Sequence, residues 1–99
     1  MKVYIIENRD VDDNYMNIEG VFSEEQVAIN KSKIVGEPFW HDIVVSEHEL
    51  KYISSNVYVV QKDDELAYAV FSTECEAKDF ADCIGIGHKH ISSYKVLNK

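Results

Sequence analysis

Four histidines and two cysteines are the side chains of this sequence suited to nucleophilic or metal chemistry. His88 and His90 have the alternate spacing that places two imidazoles on one face of a strand, with Cys83 shortly before them. No Cys-x-x-Cys or His-Glu-x-x-His pattern accompanies them, whereas a structural zinc site takes four ligands. Cys83 lies in a predicted helix with no cation beside it, so its thiol is not activated. We therefore predict that the protein is not an enzyme and has no catalytic residue, metal or cofactor.

The spacing of Asp10, Asp12 and Asn14 imitates the start of an EF-hand calcium loop. Tyr15 and Val21 then stand where that loop requires glycine and glutamate. The pattern therefore indicates a solvated, acidic hairpin loop and not a calcium site.

Two acidic hairpin loops and one aromatic loop are the candidate binding features. The loop Glu37-Pro38-Phe39-Trp40-His41 holds the single tryptophan, the residue type most enriched at interaction hot spots. Alternatively, Phe39 and Trp40 fold back and cover the edge of the core. We also assign Glu7 and Glu19 to the first acidic loop. The candidate partner-binding residues are Asp10, Asp12, Asp13, Tyr15, Phe39, Trp40, Asp63, Asp64 and Glu65.

Composition restricts the class of protein. The 99 residues are enough for a single domain, and 45% hydrophobic residues are enough for its core. A net charge of −8 disfavours direct binding to nucleic acid or an anionic membrane. No apolar run reaches the roughly 20 residues that span a bilayer, and no signal peptide is recognised, so a cytoplasmic location is predicted. Cys75 and Cys83 lie eight residues apart in one predicted helix, too far for a disulfide, and are expected to be buried free thiols.

Two segments of the chain share a pattern, which predicts a tandem repeat of residues 1–50 and 56–97. Val3-Tyr4-Ile5-Ile6 recurs as Val57-Tyr58-Val59-Val60, and Gly20-Val21-Phe22-Ser23 recurs as Ala69-Val70-Phe71-Ser72. The alternative is that these phrases are merely common in strands. The β-branched and aromatic composition of each phrase favours strands.

Each half of the sequence predicts two hairpin strands, a helix and a third strand. Ser23 with Gln26, and Thr73 with Glu76, have the spacing of a capping box that opens a helix. The apolar stripes of the helices predict that both lie on a sheet. Those stripes consist of Val27, Ala28, Ile34 and Val35 in the first helix and Ala77, Phe80, Ala81 and Ile84 in the second. We predict an α+β fold with a largely antiparallel sheet of about six strands and two helices on one face, or alternatively two half-sheets related by pseudo-twofold symmetry.

The phrases Val3-Tyr4-Ile5-Ile6-Glu7 and Gly20-Val21-Phe22-Ser23-Glu24-Glu25, followed by a helix, resemble short uncharacterised bacterial and phage proteins that open with a strand–strand–helix unit. The resemblance covers about 30 residues of each half and implies no activity. Small size and acidity are also similar to phage-encoded host-takeover or anti-defence proteins, which implies action by binding a host protein.

Two binding functions follow from these features. The first is a non-enzymatic, acidic protein-interaction module, with an inhibitor of a basic, nucleic-acid-binding host protein as one form of it. The alternative is a small-molecule-binding domain with a pocket between the two repeats. In both cases no direct contact with nucleic acid or a membrane is expected.

Overall fold

The computed structural model describes residues 1–10, 12–35, 42–63 and 65–98. The strands are β1 (Lys2–Asp10), β2 (Tyr15–Phe22), β3 (Asp42–Glu49), β4 (Asn56–Val60), β5 (Ala69–Phe71) and β6 (Ile91–Leu97). The helices are α1 (Glu25–Val35) and α2 (Glu74–Ile84), and a short 3-10 helix spans His88–His90. The predicted α+β class is confirmed.

The six described strands form one curled sheet in the order β3-β1-β2-β6-β4-β5. β1 pairs with β2 and β3, and β4 pairs with β5 and β6, all antiparallel. β2 and β6 join the halves in parallel, through the pairs Val21–Val96 and Phe22–Leu97. The largely antiparallel sheet is therefore confirmed, and this short parallel junction is its unexpected part.

The inner face of the curled sheet carries an apolar cluster to which both halves contribute. Its buried members are at most 6% exposed and are Val3, Ile5, Val21, Leu50 and Val57. Because side chains alternate along a strand, the neighbouring residues of the same strands point outward instead. The curl thus brings the inner faces of the two halves against each other.

Each helix packs on the outer face of its own half. Ala28 of α1 contacts the cluster of Ile6 and Phe22, and Ala77 and Ala81 of α2 contact Val60. Both helices therefore cover one face of the sheet, but its curl places them on opposite sides of the molecule.

The predicted helix caps are half right. Thr73 accepts a hydrogen bond from the backbone N–H of Glu76 at 3.2 Å, and Gly85 ends α2 in a left-handed conformation with φ of 77°. Ser23 does not cap α1, because its hydroxyl donates to Asn98 and the helix begins at Glu25.

Several local predictions are wrong. Ile34 was expected on the buried stripe of α1 but is 78% exposed, and Ile84 at the end of α2 is 51% exposed. The apolar residues of each stripe nearer the middle of the helix already cover the sheet. His88 and His90 lie in a 3-10 helix instead of on one face of a strand, because the chain turns after Gly87 before β6 begins.

The two halves have the same strand order, with the first strand of each half between the other two. This order fits the predicted repeat of residues 1–50 and 56–97, which stays a prediction. The halves also differ at their junctions. β2 pairs with β6, whereas the described residues of β3 and β5 are the two edges of the sheet. None of the described helices has the length and hydropathy needed to cross a membrane.

Candidate functional site

The strand directions gather the two hairpin connections at one end of the molecule. β2 and β6 are parallel, and the other pairs are antiparallel, so β1 and β4 point the same way. The connections after Asp10 and after Val60 consequently lie at the same end. We call this the acidic end, and its described candidate residues are Asp10, Asp12, Asp13, Tyr15, Asp63 and Glu65.

Gln61 attaches the second connection to the first half. Its side-chain amide donates to the backbone carbonyl of Glu65 at 2.8 Å and to that of Met16 at 3.0 Å. Met16 is the second residue of β2 and is fully buried. One half-buried side chain therefore holds the two acidic connections next to each other.

The first connection has a defined shape. The backbone N–H of Asp13 donates to Asp10 Oδ1 at 3.3 Å, and Asn14 has a φ of 53°, which asparagine adopts more readily than most residues. Tyr15 is 39% exposed and its hydroxyl accepts a hydrogen bond from Asn17 at 2.9 Å. The aspartates thus project from an ordered turn.

Four carboxylates at the acidic end have no partner cation within the described part of the chain. Asp12, Asp13, Asp63 and Glu65 form no ion pair with any described cation. Away from this end the acidic side chains are commonly paired, as Glu74 is with Lys78 at 2.7 Å. Other such pairs are Lys2–Glu47 at 3.2 Å and Lys51–Glu76 at 3.7 Å. The unpaired carboxylates concentrate negative potential at the acidic end.

Three candidate residues, Phe39, Trp40 and Asp64, lie outside the described residues. The next described residue after the aromatic segment is Asp42, which pairs with Arg9 at the acidic end of β1. The placement of Phe39 and Trp40 on the binding surface stays a prediction, and so does the alternative that they cover the edge of the core.

The assignment of Glu7 and Glu19 to the first loop is wrong, because Glu19 lies in β2 and Glu7 is not part of a loop either. Glu7 lies within β1 on the inner face and is only 7% exposed. The hydroxyl of Ser46 donates to Glu7 Oε2 at 2.7 Å, and the hydroxyl of Tyr68 donates to the same oxygen. His48 Nε2 lies 2.8 Å from Ser46 Oγ and 3.0 Å from Tyr68 Oη. These four side chains form the buried polar cluster.

The hydroxyl protons of the cluster favour one tautomer of His48. Each hydroxyl has one proton, and Ser46 and Tyr68 both donate theirs to Glu7. With those directions, the tautomer of His48 protonated at Nε2 completes the cluster, because its N–H then donates to one of the two hydroxyl oxygens. In that state His48 is not a base toward Ser46. The carboxylate contacts the serine and the tyrosine instead of the imidazole, so the arrangement is not that of a nucleophilic triad.

Burial explains the protonation of the cluster. It lowers the pKa of His48 below the ordinary value of 6.5, against the opposing effect of Glu7. Burial and the hydrogen bond to Glu7 raise the pKa of Tyr68 well above its ordinary value of 10.0. Both side chains are therefore neutral near pH 7. The Arg9 guanidinium, with Nε 3.7 Å from Glu7 Oε1, supplies the compensating positive charge.

The cysteines and the remaining described histidines do not combine into a site. Cys75 and Cys83 both lie in α2, as predicted, but both are exposed instead of buried, because Ala77 and Ala81 occupy the buried face. His88 Nε2 lies 2.7 Å from Asp82 Oδ1. Within the described chain no group of three or more histidine, cysteine, aspartate or glutamate residues is placed to hold a metal ion.

No protein-family model, curated protein or solved structure matches this chain. The predicted resemblance to bacterial and phage proteins therefore stays a prediction. Function has to be argued from the geometry of the acidic end and of the grooves around it.

The buried polar cluster and the Gln61 bridge were missed by sequence reasoning. Glu7 and Gln61 each follow the four-residue strand phrase of their own half. Glu7 reaches across to Tyr68, and Gln61 reaches across to the carbonyl of Met16. A polar residue at the next inward position of an apolar strand was the available signal. Its partners could not be read from the sequence, because they lie 61 and 45 residues away.

Proposed function

We propose that this protein is a non-enzymatic interaction module whose acidic end binds a basic surface of another protein. The observation that supports it is the pair of adjoining connections with unpaired carboxylates, held together by Gln61. Such a field attracts a surface with several lysines or arginines. A nucleic-acid-binding cleft has that chemistry, so occupying it would inhibit such a protein.

The carboxylates at the acidic end act chiefly on the rate of association. Exposed charges attract over distances up to about 8 Å at physiological ionic strength and are screened beyond that. Steering of this kind raises association rates by about tenfold or more. Dissociation depends instead on the contacts made after docking.

The small-molecule alternative gains no support from the described residues between the halves. Val3, Ile5 and Val57 fill that space with a packed apolar cluster. Among the described residues, the three best-defined surface grooves are each lined by the second half alone. The residues that line these three grooves therefore lend no support to a pocket shared by the halves.

Binding of an octalysine peptide tests the proposed function. The test variant combines Asp12→Asn, Asp13→Asn, Asp63→Asn and Glu65→Gln. We expect its association rate with the labelled peptide to fall at least about tenfold, measured by stopped-flow anisotropy at low salt. The wild-type rate should fall steeply as salt is added.

A matched control separates local from overall charge. It combines Glu24→Gln, Glu47→Gln, Glu49→Gln and Glu74→Gln, which removes the same number of charges at the opposite end of the sheet. This control should associate nearly as fast as the wild type. If both variants lose the same amount, net charge and not the acidic end governs binding, and the proposed function is wrong.

A further inference from the structure

An apolar groove borders the acidic end on the outer face of the second half. Its volume is about 270 Å³, and its apolar walls include Val60 of β4, Phe80 and Ile84 of α2, and Ile86. Ile84 is half exposed, although it lies on the same face of α2 as the buried Ala77 and Ala81, because it is the last residue of the helix. The groove therefore presents apolar surface that the fold itself does not cover.

The connection between β4 and β5 belongs both to the apolar groove and to the acidic end. Glu65, one of the unpaired acidic residues, lines the groove together with Lys62, and Asp63 lies between them in sequence. An apolar side chain that enters this groove therefore meets Glu65 and Lys62 in its lining, and Asp63 lies on the same connection.

We infer that the groove receives a large apolar side chain of the basic partner, flanked in the partner's sequence by lysine or arginine. This inference rests on the proposed function and specifies its partner. The carboxylates select the flanking cations, and burial of the apolar side chain slows dissociation. The groove supplies the anchor for the partner within the described residues.

The geometry favours this occupant over a second copy of the chain. A copy carries the same acidic connections, so two copies placed groove to groove would bring like charges together. A basic segment meets the opposite charge and fills the apolar walls at the same time. A neutral apolar ligand would leave the adjoining carboxylates without a cation.

Three peptides that differ in one feature each test the inference. They are Lys-Lys-Leu-Lys-Lys, Lys-Lys-Ser-Lys-Lys and Ser-Ser-Leu-Ser-Ser, with blocked ends, titrated into the full chain by NMR. We expect the first to bind about tenfold more tightly than either of the others, because burying one leucine is worth at least that factor. Its shift changes should include Ile84 and Ile86.

Two variants of the groove locate the binding of the leucine. Ile84→Ser removes a wall, and Ala67→Phe, at another exposed lining residue, fills the space. Each should bring the leucine peptide to the affinity of the serine peptide. Ile34→Ser is the matched control, since Ile34 is an exposed isoleucine on the other helix, and it should leave the preference intact.

The pattern of binding separates the two proposals. Equal affinity for the two lysine peptides, or a leucine preference that both groove variants keep, overturns the inference and leaves the acidic end in place. Equal affinity for the two leucine peptides shows that charge plays no part, which overturns the proposed function and the basic partner. Binding of none of the three overturns both.

Discussion

Glu7 is an acidic residue in a strand whose other inner residues are apolar. Burying a carboxylate costs free energy unless hydrogen bonds and a counter-charge compensate. Ser46 and Tyr68 supply the hydrogen bonds, and Arg9 supplies the charge. Tyr68 belongs to the second half of the chain, so compensating this one carboxylate also ties the edge strand β3 and the segment before β5 together.

The buried polar cluster predicts how stability depends on pH. Below about pH 6.5, His48 takes up a proton in the unfolded chain but stays neutral in the folded chain, because its folded-state pKa is lower. The free energy of unfolding should therefore fall as the pH drops. Above pH 10.0 the unfolded chain loses the Tyr68 proton while the folded chain keeps it, so stability should fall as the pH rises. Urea unfolding across this range measures both effects.

Two variants assign the effects of pH on stability. Tyr68→Phe should flatten the alkaline decline, because it removes the titrating hydroxyl, and His48→Gln should flatten the decline below pH 6.5. Both are expected to lower the overall free energy of unfolding, because each leaves the polar cluster with a partner missing. An alkaline decline that persists in Tyr68→Phe would contradict the assignment.

At the scale of helices and strands, the sequence predicted those features that depend on residues close together in the chain. The hairpin strands and α2 follow from strand composition, the Thr73 cap and the Gly85 stop, all within a few residues of one another. The prediction of a helix cap at Ser23 was wrong, because the Ser23 hydroxyl donates a hydrogen bond to Asn98, 75 residues away. The sequence predicted the two acidic loops, whereas the Gln61 bridge between them was not predicted.

The two helix starts predict different mutational costs. Thr73→Ala should lower the free energy of unfolding by about 1 kcal/mol, because it removes the hydroxyl that accepts from the Glu76 N–H. Ser23→Ala should cost clearly less, because it removes only an exposed bond to Asn98. Urea denaturation of both variants measures the difference. Equal costs would show that Ser23 caps α1 in solution.

At the scale of the whole molecule, the two halves share one apolar core. The inner cluster draws Val3, Ile5 and Val21 from the first half and Val57 from the second, so neither half has a complete core of its own. The backbone pairing between β2 and β6 is confined to two residue pairs. Side chains therefore carry much of the connection, which is why the polar cluster and the Gln61 bridge matter for the shape of the acidic end.

A shared core predicts that the two halves unfold together. Ile5→Val deletes one buried methyl group in β1 and should cost about 1 kcal/mol. If the halves form one cooperative unit, the most protected amides of β4 should lose the same free energy of exchange as those of β1, although the change is in β1. Native-state hydrogen exchange measures both strands in one experiment. Ile34→Ala, at an exposed position of α1, should leave both unchanged. Loss of protection in β1 alone would mean that the halves unfold separately and that the inner cluster does not couple them.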